Sequence, residues 1–599
     1  MEEKKILKRS EIPEQYTWNL KDIYNDVNEW NDDLAKVYEL LKKVEDYKGK
    51  LSSDAKTLLS WFEFNDELGE LISKVYGYSS LEADQDVSNS ETQARKGKAL
   101  SAYVAINSAL SFADTEIMEI ADDKLEEFFK EEEGLELYRL AIKRIRHRKD
   151  HMLSANEERI IAATGEMANG PATIGNVFRN ADIKFPDVED SEGNKHKLTQ
   201  GTYISLMESS DRKLRENAFK TFYETWKDHA ALSAAILDAH TKQQTFFSKI
   251  RKYNSNLEAA LDATEVPTSV YMNLIDTVHK HMDSMYRYMK LRKKLLNVDE
   301  LHMYDLYNPI VADVDEKITF EQAKENVFEA IKPLGEDYAK VVRTAYDNRW
   351  LDVYENEGKR SGAYSSGLST PHPYILLNHK DNLNSQFTLI HETGHTMHSY
   401  LSVHNQPKVY NDYVIFVAEV ASTCNEVLMM KNLLSKTTDK KKRAYLINYF
   451  LEQFRTTLYR QTMFAEFELK INEIEENGET LTSEVMNKIY YDLNKLYYGE
   501  DVVVDEGIAL EWSRIPHFFY DYYVYQYATG FSAAIALATK ILKEGESAVK
   551  NYLKFLSSGC SADPISLLKI AGVDMSSPAP IEEALKEFDN LITEMEELL

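Results

Sequence analysis

His391-Glu392-Thr393-Gly394-His395 sets two imidazoles four residues apart with a carboxylate between them. On a helix, positions i and i+4 share one face, one turn apart. His391 and His395 can therefore bind one metal ion, at about 2.0–2.1 Å from each ring nitrogen for zinc. Glu392 stands about 100° round the same helix, where it can reach a water on the metal without being a ligand. Histidine is 15 of 599 residues, so two histidines and a glutamate at these offsets should arise by chance only about 0.04 times in such a chain. A histidine pair on an ordinary helix face is the competing reading, and Gly394 argues against it. A helical glycine costs about 1 kcal/mol against alanine, a cost that makes sense where another element must approach closely. Phe387, Leu389 and Ile390 give the same helix an apolar flank.

A catalytic zinc site takes three protein ligands and keeps the fourth position open. The extended pattern H-E-x-x-H-x-x-G-x-x-H fails here, because His398 stands in the glycine place and Leu401 in that of the third histidine. The next strong helical pattern runs from Val414 to Met430, and Glu419 interrupts its small and apolar residues. A carboxylate there is costly to bury unless it is paired or binds metal, so Glu419 is the expected third ligand. Glu426 lies seven residues on, two turns along the same face. It is expected to accept the proton of a ligand imidazole, or else to be a surface acid near the helix end. His398 and His404 are nearer in sequence, but a third ligand from the same short helix gives poor tetrahedral geometry.

The elements that position these residues are mostly helices. Gly 22 and Pro 13 are few for 599 residues, against average usage of about 7% and 5%. Helical spacing appears in 31–47, in 90–114, in Leu214, Ala218, Phe222 and Trp226, and in the amphipathic stretch from Ile581 to Leu598. Thr319-Phe320-Glu321-Gln322 reads as a capping box. The polar stretch within 185–201 predicts a hairpin or a lobe boundary. Just before the metal helix, Gly362-Ala363-Tyr364-Ser365 and Pro373 to Asn378 read as short strands. We divide the chain near residue 200 into an N-terminal helical lobe, 1–200, and a zinc-bearing catalytic domain, 201–599. Net charge is 71 − 99 = −28, which speaks against a nucleic-acid partner. No apolar run of about 18 residues exists, so no membrane span is expected. Two cysteines, Cys424 and Cys560, form no disulfide framework. Cys424 is expected to be a small buried hydrophobe. Met1 to Lys5 lacks the apolar region of a secretory signal. Together these features predict a cytoplasmic protein.

The chain resembles the oligoendopeptidase F and thimet oligopeptidase family of zinc peptidases, the oligoendopeptidase F branch most closely. The resemblance rests on His391 to His398, on Phe416-Val417-Ala418-Glu419-Val420-Ala421-Ser422, and on Pro516-His517-Phe518-Phe519-Tyr520 with Tyr522 to Gly530. It extends to Arg9 to Pro13, Tyr16 to Leu20, Leu257 to Leu261, Asp563 to Ile565 and Ala571 to Asp574, and so spans nearly the whole chain. It implies a mainly helical bundle fold with a deep central substrate channel and a small sheet beside the zinc helix. It also implies Glu419 as third ligand, in agreement with the reading above. The family has a histidine and two tyrosines that face the substrate carbonyl, and the matching segment offers His517, Tyr522 and Tyr525. Tyr522 and Tyr525, at i and i+3, would share a helix face and donate to an oxyanion. Tyr520, Tyr523 and Tyr527 are expected in the core. The resemblance further implies that Gly362, Ala363 and Tyr364 lie on an edge strand that pairs with the extended peptide.

The expected protein is a zinc-dependent endopeptidase, one zinc per chain, and the resemblance implies that it cuts internal bonds of short unstructured oligopeptides. Its water is activated by zinc, with Glu392 as general base. Two rivals remain. A helical gluzincin carboxypeptidase or dipeptidyl carboxypeptidase would need a cation to hold the substrate carboxylate. A peptide-binding protein with a structural zinc site would need four protein ligands.

Overall fold

Leu214, Ala218, Phe222 and Trp226 line the buried face of the helix Arg212–Asp228, where Phe222 stacks on Phe185 at 4.7 Å between ring centroids. The same logic builds most of the chain. The computed structural model describes residues 6–311, 316–367 and 371–599. Met1 to Lys5, read above for lack of an apolar run, lie outside them. Helices dominate, with three small sheets among the described residues. No helix of the described residues is long and apolar enough to cross a membrane.

The chain forms two compact units, and each draws on residues from both sides of residue 200. The first comprises 1–150, 315–432 and 537–572. Its core packs the helices Val27–Lys43, Ala55–Asp84 and Ser90–Leu110 around Trp30, Trp61, Leu68 and Val75. The Trp30 indole donates to the Val75 carbonyl at 2.9 Å, which satisfies its one buried polar group. The unit's three-stranded sheet has Tyr374–Leu376 at its centre, parallel to Leu351–Asp352 and antiparallel to Tyr364–Ser366. All three residues of the central strand are inaccessible. Asp352 is buried between Arg9 and Lys359, so the N-terminal segment is pinned to the sheet by charge pairing that offsets the cost of burying the carboxylate.

The second unit comprises 151–314, 433–536 and 573–599. The hairpin expected within 185–201 is present, pairing Val188–Glu189 with Lys195–His196 through a turn that needs Gly193 at φ +84°. The C-terminal helix Ala579–Leu598 buries Ile581, Ala584, Leu585, Phe588, Leu591, Ile592 and Met595, the stripe expected from its spacing. The interior also holds ion pairs. Glu452 meets Arg292 and Arg455, and Glu511 meets Arg460 and Arg514. In the first unit, Thr319 and Gln322 form the predicted capping box, and Cys424 is fully buried.

Candidate metal centre

Asn382 accepts the Ser385 N–H and starts the helix Leu383–Asn405, which carries the H-E-x-x-H segment. The helix Ile415–Lys436 crosses it at Gly394. A Cβ at Gly394 would stand 2.5 Å from Ser422 Cα and 2.7 Å from the Ala421 oxygen and the Ser422 nitrogen. Glu419 precedes Ser422 by one turn, so this close crossing brings it to the two histidines. Gly394→Ala should push the helices apart. The overpacking should cost at least the usual 1–3 kcal/mol or so, read as a lower denaturant midpoint together with weaker zinc affinity. Unchanged values of both would show that the contact does not position the site.

The three donor atoms form a nearly equilateral triangle. His391 Nε2 and His395 Nε2 are 3.1 Å apart, and Glu419 Oε2 lies 3.3 Å from the first and 3.4 Å from the second. Ligands about 2.0 Å from one tetrahedral zinc stand about 3.3 Å from one another. The residues therefore fit zinc in donor type and spacing. Among the described residues this is the one group of three such donors so gathered. His391 Nδ1–H donates to the Glu426 carboxylate, which turns the Nε2 lone pair toward the triangle. Burial pushes the Glu419 carboxyl up, but the two imidazoles outweigh it and hold it below the usual range. Ser422 Oγ donates to Glu419 Oε2 at 3.1 Å.

Glu392 is buried, its Oε2 has no hydrogen-bond partner, and burial raises its pKa above the ordinary carboxylate value. A carboxylate so placed is a stronger proton acceptor than one in water. His398 stacks flat on Tyr413 at 3.8 Å, and His404 Nδ1 meets the Tyr400 carbonyl, so neither joins the triangle. Tyr364–Ser366 is an outer strand of its sheet. Ser365 Oγ and Thr396 Oγ1 are 2.8 Å apart, which ties that edge to the residue after His395. Gly362 and Ala363 precede the strand, and the Gly362 carbonyl accepts from Asn378 Nδ2 at 2.8 Å.

The aromatic segment departs from expectation. The helix begins at Tyr525, whereas Asp521 and Tyr522 sit at φ +49° and +58°. Tyr522 therefore lies outside the helix, and the i, i+3 face does not exist. Two interactions hold this turn. Glu468, itself buried, accepts the Tyr522 N–H at 2.7 Å, and the Asp521 carboxylate meets His240 Nε2 and Gln244 Nε2. Burial pushes the Glu468 carboxyl up to about 8. The broken periodicity also reverses which tyrosines are buried. Tyr522 and Tyr525 are 2% and 1% exposed and pack on Tyr271. Tyr520, expected in the core, is 55% exposed, and Tyr523 and Tyr527 are half-buried. These three surround the His517 ring at 5.5–6.4 Å. Burial, with Arg460 nearby, pulls the His517 imidazole below its ordinary pKa. Glu468, His240 and Gln244 had no motif that could have revealed them.

A helical fold with an H-E-x-x-H pair and a glutamate from the next helix defines a metallopeptidase of the gluzincin type. More particularly, the chain belongs to Peptidase family M3, whose family model matches residues 205–587, while one described as Oligopeptidase F matches residues 116–185. It is 46% identical to oligopeptidase PepF of Bacillus subtilis over 591 residues, 99% of this chain and 88% of that protein. Among solved structures, oligoendopeptidase-F from Enterococcus faecium is similar at 38% identity, covering 95% of this chain and 99% of that one, with a TM-score of 0.75. A peptidase from Chlamydophila abortus is similar at 32% identity and a TM-score of 0.92, covering 99% and 100%.

Proposed function

We infer that this chain is a zinc-dependent endopeptidase that hydrolyses internal bonds of short, unstructured oligopeptides. The carrying observation is the 3.1–3.4 Å donor triangle beside an uncommitted, buried Glu392 carboxyl. Membership of Peptidase family M3 and relatives named oligopeptidase and oligoendopeptidase support the substrate class. Zinc, when bound, polarises the scissile carbonyl and lowers the pKa of water. Glu392 takes the proton of the attacking water and passes it to the leaving amine. His391, His395 and Glu419 hold the ion. Glu426 fixes the His391 tautomer, and a single donor triangle among the described residues supports one zinc per chain.

Tyr522 and Tyr525 donate to the developing oxyanion, and His517 faces the substrate. Their support is the resemblance of the segment and its anchoring by Glu468, His240 and Gln244. Gly362, Ala363 and Tyr364 take the substrate backbone by strand addition, supported by an outer strand tied to Thr396. The division into 1–200 and 201–599 is supported by where the two family matches end and begin, at 185 and 205. A structural zinc site is disfavoured because three donors leave a fourth position. The test is mass spectrometry of a peptide library and of folded proteins after digestion with zinc-loaded protein. Internal cuts in short peptides, with folded proteins intact, are expected. Release of only C-terminal residues or dipeptides would favour the carboxypeptidase reading.

A further inference from the structure

Arg179 sits in a π-helical turn, Phe178–Asp182, that ends the helix Gly170–Val177. It is 8% exposed, and among the described residues it has neither a carboxylate nor a carbonyl partner. Its guanidinium lies over the Phe519 ring at 4.7 Å. A cation–π contact is a weak partner for a cation so far removed from water. Neutralisation does not relieve the cost, because a guanidinium keeps its proton in proteins. Gly175 packs against this side chain. A Cβ at Gly175 would lie 3.0 Å from Arg179 Nη1.

A second unpartnered donor faces the same space. Ser233 is 6% exposed, and its hydroxyl has no hydrogen-bond partner. Arg179 and Ser233 line one narrow cleft with Phe178, Ile236, Leu237 and Phe519. Its free volume is about 10 Å³, room for one water-sized group. One cation and the unpartnered Ser233 hydroxyl suit a single anionic oxygen, bound by charge-assisted hydrogen bonds, while the cleft's other hydroxyl, Ser513 Oγ, donates to the Leu510 carbonyl at 2.6 Å. The cleft abuts the segment of His517, since Phe519, which lines it, lies two residues beyond that histidine.

We propose that Arg179 and Ser233 form a subsite for a carboxylate of the bound peptide, its C-terminal carboxylate or an acidic side chain. The subsite rests on the reading of the chain as a peptidase.

Calorimetry on zinc-loaded Glu392→Gln protein tests this without turnover. Matched peptides are compared, one pair differing only in a C-terminal carboxylate or amide, the other only in an internal Glu or Gln. The charged member of one pair should bind at least about 10-fold tighter, the value of one charge-assisted hydrogen bond. The first pair identifies the terminus, the second a side chain. Arg179→Gln should collapse that ratio toward one, and Ser233→Ala should reduce it. Ratios near one for both pairs before any change at Arg179 would overturn the proposal, and so would an undiminished ratio in Arg179→Gln. If peptides bind with the expected ratio but native protein cuts none of them, the peptidase reading has failed and the subsite stands.

Discussion

Glu392→Gln is expected to keep zinc bound and to lose turnover by about 10²–10⁴-fold, the range of a missing general base. The amide matches the carboxylate in shape but cannot take the proton of water. In the folded chain Glu392 lies on the H-E-x-x-H helix without contributing to the donor triangle, so its replacement leaves the three ligands in place. Its Oε2 has no hydrogen-bond partner, so no hydrogen bond of that oxygen is lost with the charge. The measurement pairs metal content with single-turnover peptide hydrolysis. Near-normal turnover with zinc bound would move the base elsewhere, and loss of zinc would make Glu392 part of the ligand shell.

The second large effect separates the two glutamates of the helix Ile415–Lys436. Glu419→Gln removes a charged corner of the triangle, so zinc affinity should fall by well over the 10–100-fold typical of an outer partner. Glu426→Gln keeps an oxygen that can accept from His391 Nδ1, and it should weaken zinc by no more than that outer-partner range. Competition with a chelating dye measures both. The reverse order would show that Glu426 is the ligand.

Residues gathered by local geometry were legible in the sequence. The i, i+4 pair, the glutamate interrupting an apolar run, and Gly394 all follow from helical repeat and burial cost. The crossing that Gly394 permits, 2.5 Å from Ser422 Cα for an added Cβ, was readable as a need for space, though not as contact with that residue. The tyrosine segment was misread because its backbone turns left-handed at Asp521 and Tyr522, residue types that give no warning of it. Once the repeat breaks there, spacing no longer tells which ring is buried. Glu468, Arg179 and Ser233 were invisible for another reason. Each acquires its role from residues tens to hundreds of positions away, such as Tyr522 for Glu468 and Phe519 for Arg179. The two units likewise draw on alternating stretches of chain, and no local pattern encodes such pairing.

The most direct test of the account is a zinc titration of metal-free protein, with peptide hydrolysis followed at each step. Hydrolysis should be absent at the start, rise in proportion to added zinc, and level off at one equivalent per chain. Full activity in the metal-free protein, or a plateau only at a second equivalent, would contradict the site built on His391, His395 and Glu419.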